Sequence, residues 1–110
     1  MASDDMYVVM YSILSYLYGC MRKGVAPDCE RIGAEALGIP QAYWAQVMDE
    51  LVRHGFVDGV TVVRPWGAPP VVRLSEPRVT MEGVAFAQEN SMMARARKFL
   101  QDAKSALPGL

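Results

Sequence analysis

The stretch Glu50–Val60, ELVRHGFVDGV, changes character at a single residue. Leu51 and Val52 close a helical pattern, Gly55 interrupts it, and Phe56, Val57 and Val60 follow at once with apolar, β-prone side chains. Glycine takes φ > 0 at no steric cost, so Gly55 is expected just past a helix end, in the left-handed conformation that closes the last turn. The chain then turns straight into a strand, Phe56–Val63, lying against the helices it has left. In the helix from about 40 to 54, Trp44, Val47, Met48 and Leu51 form the core stripe, and Ala42, Gln46, Asp49 and Arg53 point the opposite way.

Upstream, Gly38 stops a short helix that Asp28 caps, with Cys29, Ile32 and Ala36 on its apolar side. Pro40 suits the first position of the next helix, so two helices meet across a turn of three or four residues, the spacing of a helix-turn-helix. Further upstream, residues 6–21, MYVVMYSILSYLYGCM, are apolar almost all round. The run is shorter than the roughly 18–20 residues of a membrane span, and Ser12, Ser15 and Gly19 break it, so it reads as a buried helix. Arg22-Lys23-Gly24 ends it.

Downstream, residues 64–70, RPWGAPP, form a proline-stiffened loop, and Val71–Leu74 returns as the partner strand. Thr80 caps a further helix, with Val79 and Val84 as a hydrophobic staple. Ser91 caps a last one, in which Met92, Ala96, Phe99, Ala103 and Ala106 make a seam of about two heptads. The expected fold is mainly α with a small β-hairpin: a winged helix-turn-helix with two additional C-terminal helices. It is one domain over residues 1–110, with a core over about 5–78 and a helical extension over about 79–107.

The chain has 110 residues, 52% hydrophobic and 21% charged, an ordinary globular balance with a formal net charge of −1. No global field draws it to nucleic acid or to an anionic membrane. The charge is uneven: residues 1–55 hold four Lys/Arg against seven Asp/Glu, and residues 56–110 hold seven against five. Any anion-binding surface is therefore expected in the second half. Cys20 and Cys29 lack CxxC spacing, and one histidine cannot complete a zinc site with them. They read as reduced thiols at or near the core of a cytoplasmic protein, and the acidic Asp4-Asp5 start is unlike a secretory leader.

The chain resembles the YjcQ-like proteins of bacteria and their phages. The residues that carry the resemblance are Ala36-Leu37-Gly38-Ile39-Pro40 with Tyr43-Trp44, the segment Leu51–Val60, and Val79-Thr80-x-x-Gly83 leading through Glu89-Asn90-Ser91 into the last helix. Together, in order, they span about three-quarters of the chain. The resemblance implies a winged-helix fold and a phage or mobile-element association, and it carries no catalytic residue across.

The leading functional expectation is a regulator that binds double-stranded DNA, with helix 40–54 in the major groove and the hairpin as a wing on the backbone. Gln46 would read adenine and Arg53 guanine or a phosphate, while Arg64, Arg73 and Arg78 around Trp66 would hold phosphates. Asp49 and Glu50 oppose this, and three or four phosphate contacts imply weak, strongly salt-dependent binding. The alternative is a non-enzymatic protein-interaction or dimerisation module that uses the winged helix as scaffold. Its interface would be Met92, Ala96, Phe99 and Ala103, and a homodimer is expected on either reading. Trp66 is expected as a lid packed on the hairpin, since aromatics usually bury themselves. The tyrosines at 7, 11, 16 and 18 read as core or interface residues rather than a ligand pocket. His54 complements the helix dipole. Neither G-x-S-x-G nor a metal cluster nor a phosphate-cradling glycine loop is present, so no catalysis, cofactor, metal, small-molecule substrate or membrane is expected.

Overall fold

The computed structural model describes residues 5–89. The order is a helix α1 (Met6–Lys23), a single 3-10 turn (Cys29–Ile32), a short helix α2 (Ala34–Leu37), a helix α3 (Gln41–Arg53), and two antiparallel strands, β1 (Val57–Val63) and β2 (Val71–Val79). A further helix, α4, covers 81–89. This is a mainly α fold with a small β-hairpin in winged-helix order. No described helix is long and apolar enough to cross a membrane. The helix expected from Ser91, with its seam Met92, Ala96, Phe99 and Ala103, lies outside the described residues.

The opening stretch folds as its sequence requires. Gly55 has φ +71°. Its N–H donates to the Val52 carbonyl at 3.0 Å, and the next N–H, of Phe56, reaches back to the Leu51 carbonyl at 2.9 Å. This paired bonding is the Schellman closure, which satisfies carbonyls that a helix end otherwise leaves open. Gly24 and Gly38 close α1 and α2 with the same two bonds.

The core gathers around α1. Val9, Ile13, Leu14 and Leu17 from α1 meet Val47, Met48 and Leu51 from α3, with Ile32, Val57 and Val79 completing the cluster. Trp44 donates its indole N–H to the Ile32 carbonyl at 2.7 Å, which joins α3 to the 3-10 turn inside the core. The tyrosines stand at its edge: Tyr7 is exposed, Tyr11, Tyr16 and Tyr18 are half-buried, and the Tyr16 hydroxyl accepts from the Asp28 N–H at 2.8 Å.

Three boundaries differ from the expectation. The helix expected from Asp28 to Ala36 is split at Gly33, whose extended backbone separates the 3-10 turn from α2, and Ala36 is exposed. Pro40 caps α3 rather than entering it, with ψ 146° keeping it outside the helix. β2 does not stop at Leu74 but runs on to Val79. The register explains this: Val60 pairs with Leu74 and Asp58 with Arg78, so Gly59 alone faces Ser75-Glu76-Pro77 across a bulge. Inside a bulge Pro77 forfeits no ladder bond, so it does not end the strand. Past Val79, Thr80 caps α4. Its hydroxyl accepts from the Gly83 N–H at 3.1 Å and donates to the Gly55 carbonyl at 2.6 Å, while its own N–H reaches the Phe56 carbonyl at 3.0 Å. Ala87 is buried and Val84 packs on the same core, so α4 belongs to the body of the domain.

Candidate functional site

In α3 the 3.6-residue period puts Gln46, Asp49, Glu50 and Arg53 on the side away from Trp44 and Leu51. Gln46 and Arg53 are exposed, as expected. Asp49 is not: it is 8% exposed, the one buried charged residue among those described. The reason lies in the wing. Where β1 ends, Arg64 turns back over α3 and donates Nη2 to Asp49 Oδ1, and Arg53, one helical turn on, donates Nε to Asp49 Oδ2 at 3.3 Å. Two guanidinium groups thus close over one carboxylate. The hydrogen bond from Arg64, helped by the positive charges of both arginines, holds the Asp49 carboxyl below the usual carboxylate range against the opposing pull of burial. The same hydrogen bond raises Arg64 above its ordinary value. Beside them Glu50 Oε2 stands 3.3 Å from His54 Nε2, and the His54 ring stacks on Phe56.

These side chains line an open groove of about 770 Å³ between α3 and the wing loop. Gln46, Asp49, Glu50, Arg53 and Arg64 supply its polar side, and Met6, Gly67, Ala68, Pro69 and Pro70 the other. Of the six residues expected to touch DNA, the structure gathers Gln46, Arg53 and Arg64 here. The other three stand apart. Arg78 faces Asp58 across the ladder at 3.8 Å, both well exposed. Arg73 is exposed on the outer face of β2, paired in register with Thr61, and forms no ion pair among the described residues. Trp66 corrects the expectation of a buried lid: at 101% relative exposure it packs on nothing. Prolines on both sides and the positive φ of Gly67 hold the loop tip out from the ladder, beyond the reach of the core. Val63 and Val71, paired at the end of the hairpin, are also exposed, so the wing ends in an apolar tip.

Asp49 lies on the expected face of α3 but is buried there rather than exposed. Its i,i+4 spacing to Arg53 was a visible signal for a pair. Arg64, fifteen positions on, gave none, because only the fold brings it there. A second, mostly apolar cavity of about 440 Å³ lies between the end of α1 and the bulged part of β2. Both thiols line it: Cys20 is buried, Cys29 half-buried, and both are free. Among the described residues no group of His, Cys, Asp or Glu is placed to hold a metal ion.

The family model described as YjcQ protein matches residues 11–106. No curated protein and no solved structure matches the chain.

Proposed function

The chain belongs to the YjcQ family, and on that premise we propose that it is a non-enzymatic winged-helix module that binds a protein partner through the wing and the outer face of α3. One observation carries this reading: Arg53 and Arg64, the two candidate phosphate contacts that line the groove beside α3, both close on the buried Asp49 of their own chain. Residues 5–89 hold seven Lys/Arg and ten Asp/Glu, a net charge of −3. Duplex binding gains most of its affinity from releasing counterions around many neutralised phosphates. A net-negative body in which one buried carboxylate already offsets part of the charge of two of its seven cations supplies little of that. The wing tip, by contrast, offers a bare tryptophan flanked by valines on a proline-stiffened loop. Rigid exposed aromatics of this kind anchor protein interfaces at low entropic cost.

A second reading, a regulator of phage or mobile-element origin that binds duplex DNA, draws support from the groove itself, where Gln46, Arg53 and Arg64 stand together beside the helix that such proteins insert into DNA. Fluorescence anisotropy of a labelled mixed-sequence duplex, titrated at several salt concentrations, separates the two. The expected result is no binding at low ionic strength. Salt-dependent binding that disappears in Arg64→Ala with Arg73→Ala overturns the protein-partner reading in favour of DNA.

A further inference from the structure

Resting on the protein-partner reading, we propose that the groove between α3 and the wing loop receives a carboxylate side chain from an extended, partly apolar peptide segment of the partner. The chemistry is set by how Asp49 arranges its two arginines. A guanidinium carries five N–H donors. Asp49 takes Nε of Arg53 and one N–H at Nη2 of Arg64, which leaves most donors of both groups uncommitted among the described residues. The Asp49 side chain is only 11% exposed, whereas those of Arg53 and Arg64 are 55% and 44% exposed. An approaching ligand therefore meets guanidinium edges rather than the carboxylate beneath them. Glu50, the second carboxylate on the groove, is 42% exposed and stands 3.3 Å from His54 Nε2 one turn on. Gln46 adds an exposed amide to the same wall.

The opposite wall is apolar and stiff, formed by Met6, Ala68, Pro69 and Pro70. A ligand that satisfies both walls carries an anionic oxygen pair beside an apolar group. A planar carboxylate matches the fork of an arginine bidentately. A single carboxylate also feels little of the repulsion that a net-negative body exerts on a polyanion. The site thus suits an Asp or Glu flanked by apolar residues.

The test is a titration of the ¹⁵N-labelled full chain followed by NMR, with the peptide acetyl-Leu-Glu-Leu-Glu-Leu-amide and its counterpart acetyl-Leu-Gln-Leu-Gln-Leu-amide. The expected result is saturable shifts at Gln46, at the Arg53 and Arg64 side-chain N–H groups and at Ala68, with affinity at least tenfold lower for the glutamine peptide. Arg53→Gln keeps Arg64 on Asp49, so it leaves the melting temperature in place and weakens the acidic peptide about tenfold. Equal shifts with both peptides, or none at millimolar concentration, overturn the proposal. So does inorganic phosphate if it gives the same shifts at the same concentration, since the groove would then take any oxyanion. A duplex that shifts these resonances at lower concentration than the peptide overturns the protein-partner reading as well, whereas failure of the peptide alone leaves that reading standing on the wing tip.

Discussion

Protonating Asp49 removes the group on which Arg53 and Arg64 both close. Its carboxyl titrates below the ordinary carboxylate value of about 3.9. A depressed acid stabilises the fold fully above the unfolded value and loses that contribution as pH falls through the folded one. Asp49→Asn should therefore cost about 1 kcal/mol near neutrality, with the gap to the parent protein closing below about pH 4. Thermal melts from pH 7 to pH 2 check this; a gap that does not change with pH would show that the carboxylate's charge contributes nothing. Two glycines fail for different reasons when replaced. Around Gly55 an added Cβ meets open space, so Gly55→Val costs only its left-handed backbone, about 1–2 kcal/mol. At Gly83 an added Cβ falls on the Phe56 carbonyl oxygen and the Val79 side chain, so Gly83→Ala must displace α4, at about 1–3 kcal/mol. Gly55 could be read from its neighbours because its constraint is local. Gly83 could not, because the carbonyl that crowds it most tightly, that of Phe56, lies more than twenty residues away in sequence.

Contacts between elements follow the same division. The stripe Trp44, Val47, Met48 and Leu51 was evident from helical spacing, and all four residues are buried. That Trp44 also holds the Ile32 carbonyl was not evident, since spacing gives the face of a side chain and not its hydrogen-bond partner. Trp44→Phe keeps most of the packing and leaves that buried carbonyl unpaired, a loss of about 1–3 kcal/mol visible in urea unfolding. Thr80 does two jobs at once, capping α4 through the Gly83 N–H and tying it to the end of α3 through the Gly55 carbonyl. Thr80→Val keeps the shape and removes both bonds, for about 1–2 kcal/mol. A smaller loss, that of a cap alone, would show that the tie to Gly55 contributes nothing. The length of β2 escaped the sequence because Ser75-Glu76-Pro77 has the composition of a turn. It remains a strand only because Gly59 opposite lets the backbone of Glu76 approach.

At the tip of the wing, the domain separates what keeps it folded from what it offers to others. Trp66 touches no core residue, so Trp66→Ala should leave the unfolding free energy within about 0.5 kcal/mol of the parent while removing the largest apolar group on the wing. A drop well beyond that would mean that the loop packs on the body. The base of the wing is clamped at Gly55, Phe56 and Thr80, and the 24 residues from Phe56 to Val79 leave and return through that one point. The hairpin is in this sense a cassette. Loop residues beyond Arg64 can be added or removed without disturbing the clamp, the ladder register or the contact of Arg64 with Asp49. New recognition can thus be sampled at the tip while selection for foldability acts on the helices, so that relatives of this chain are free to keep one body and change the company it keeps.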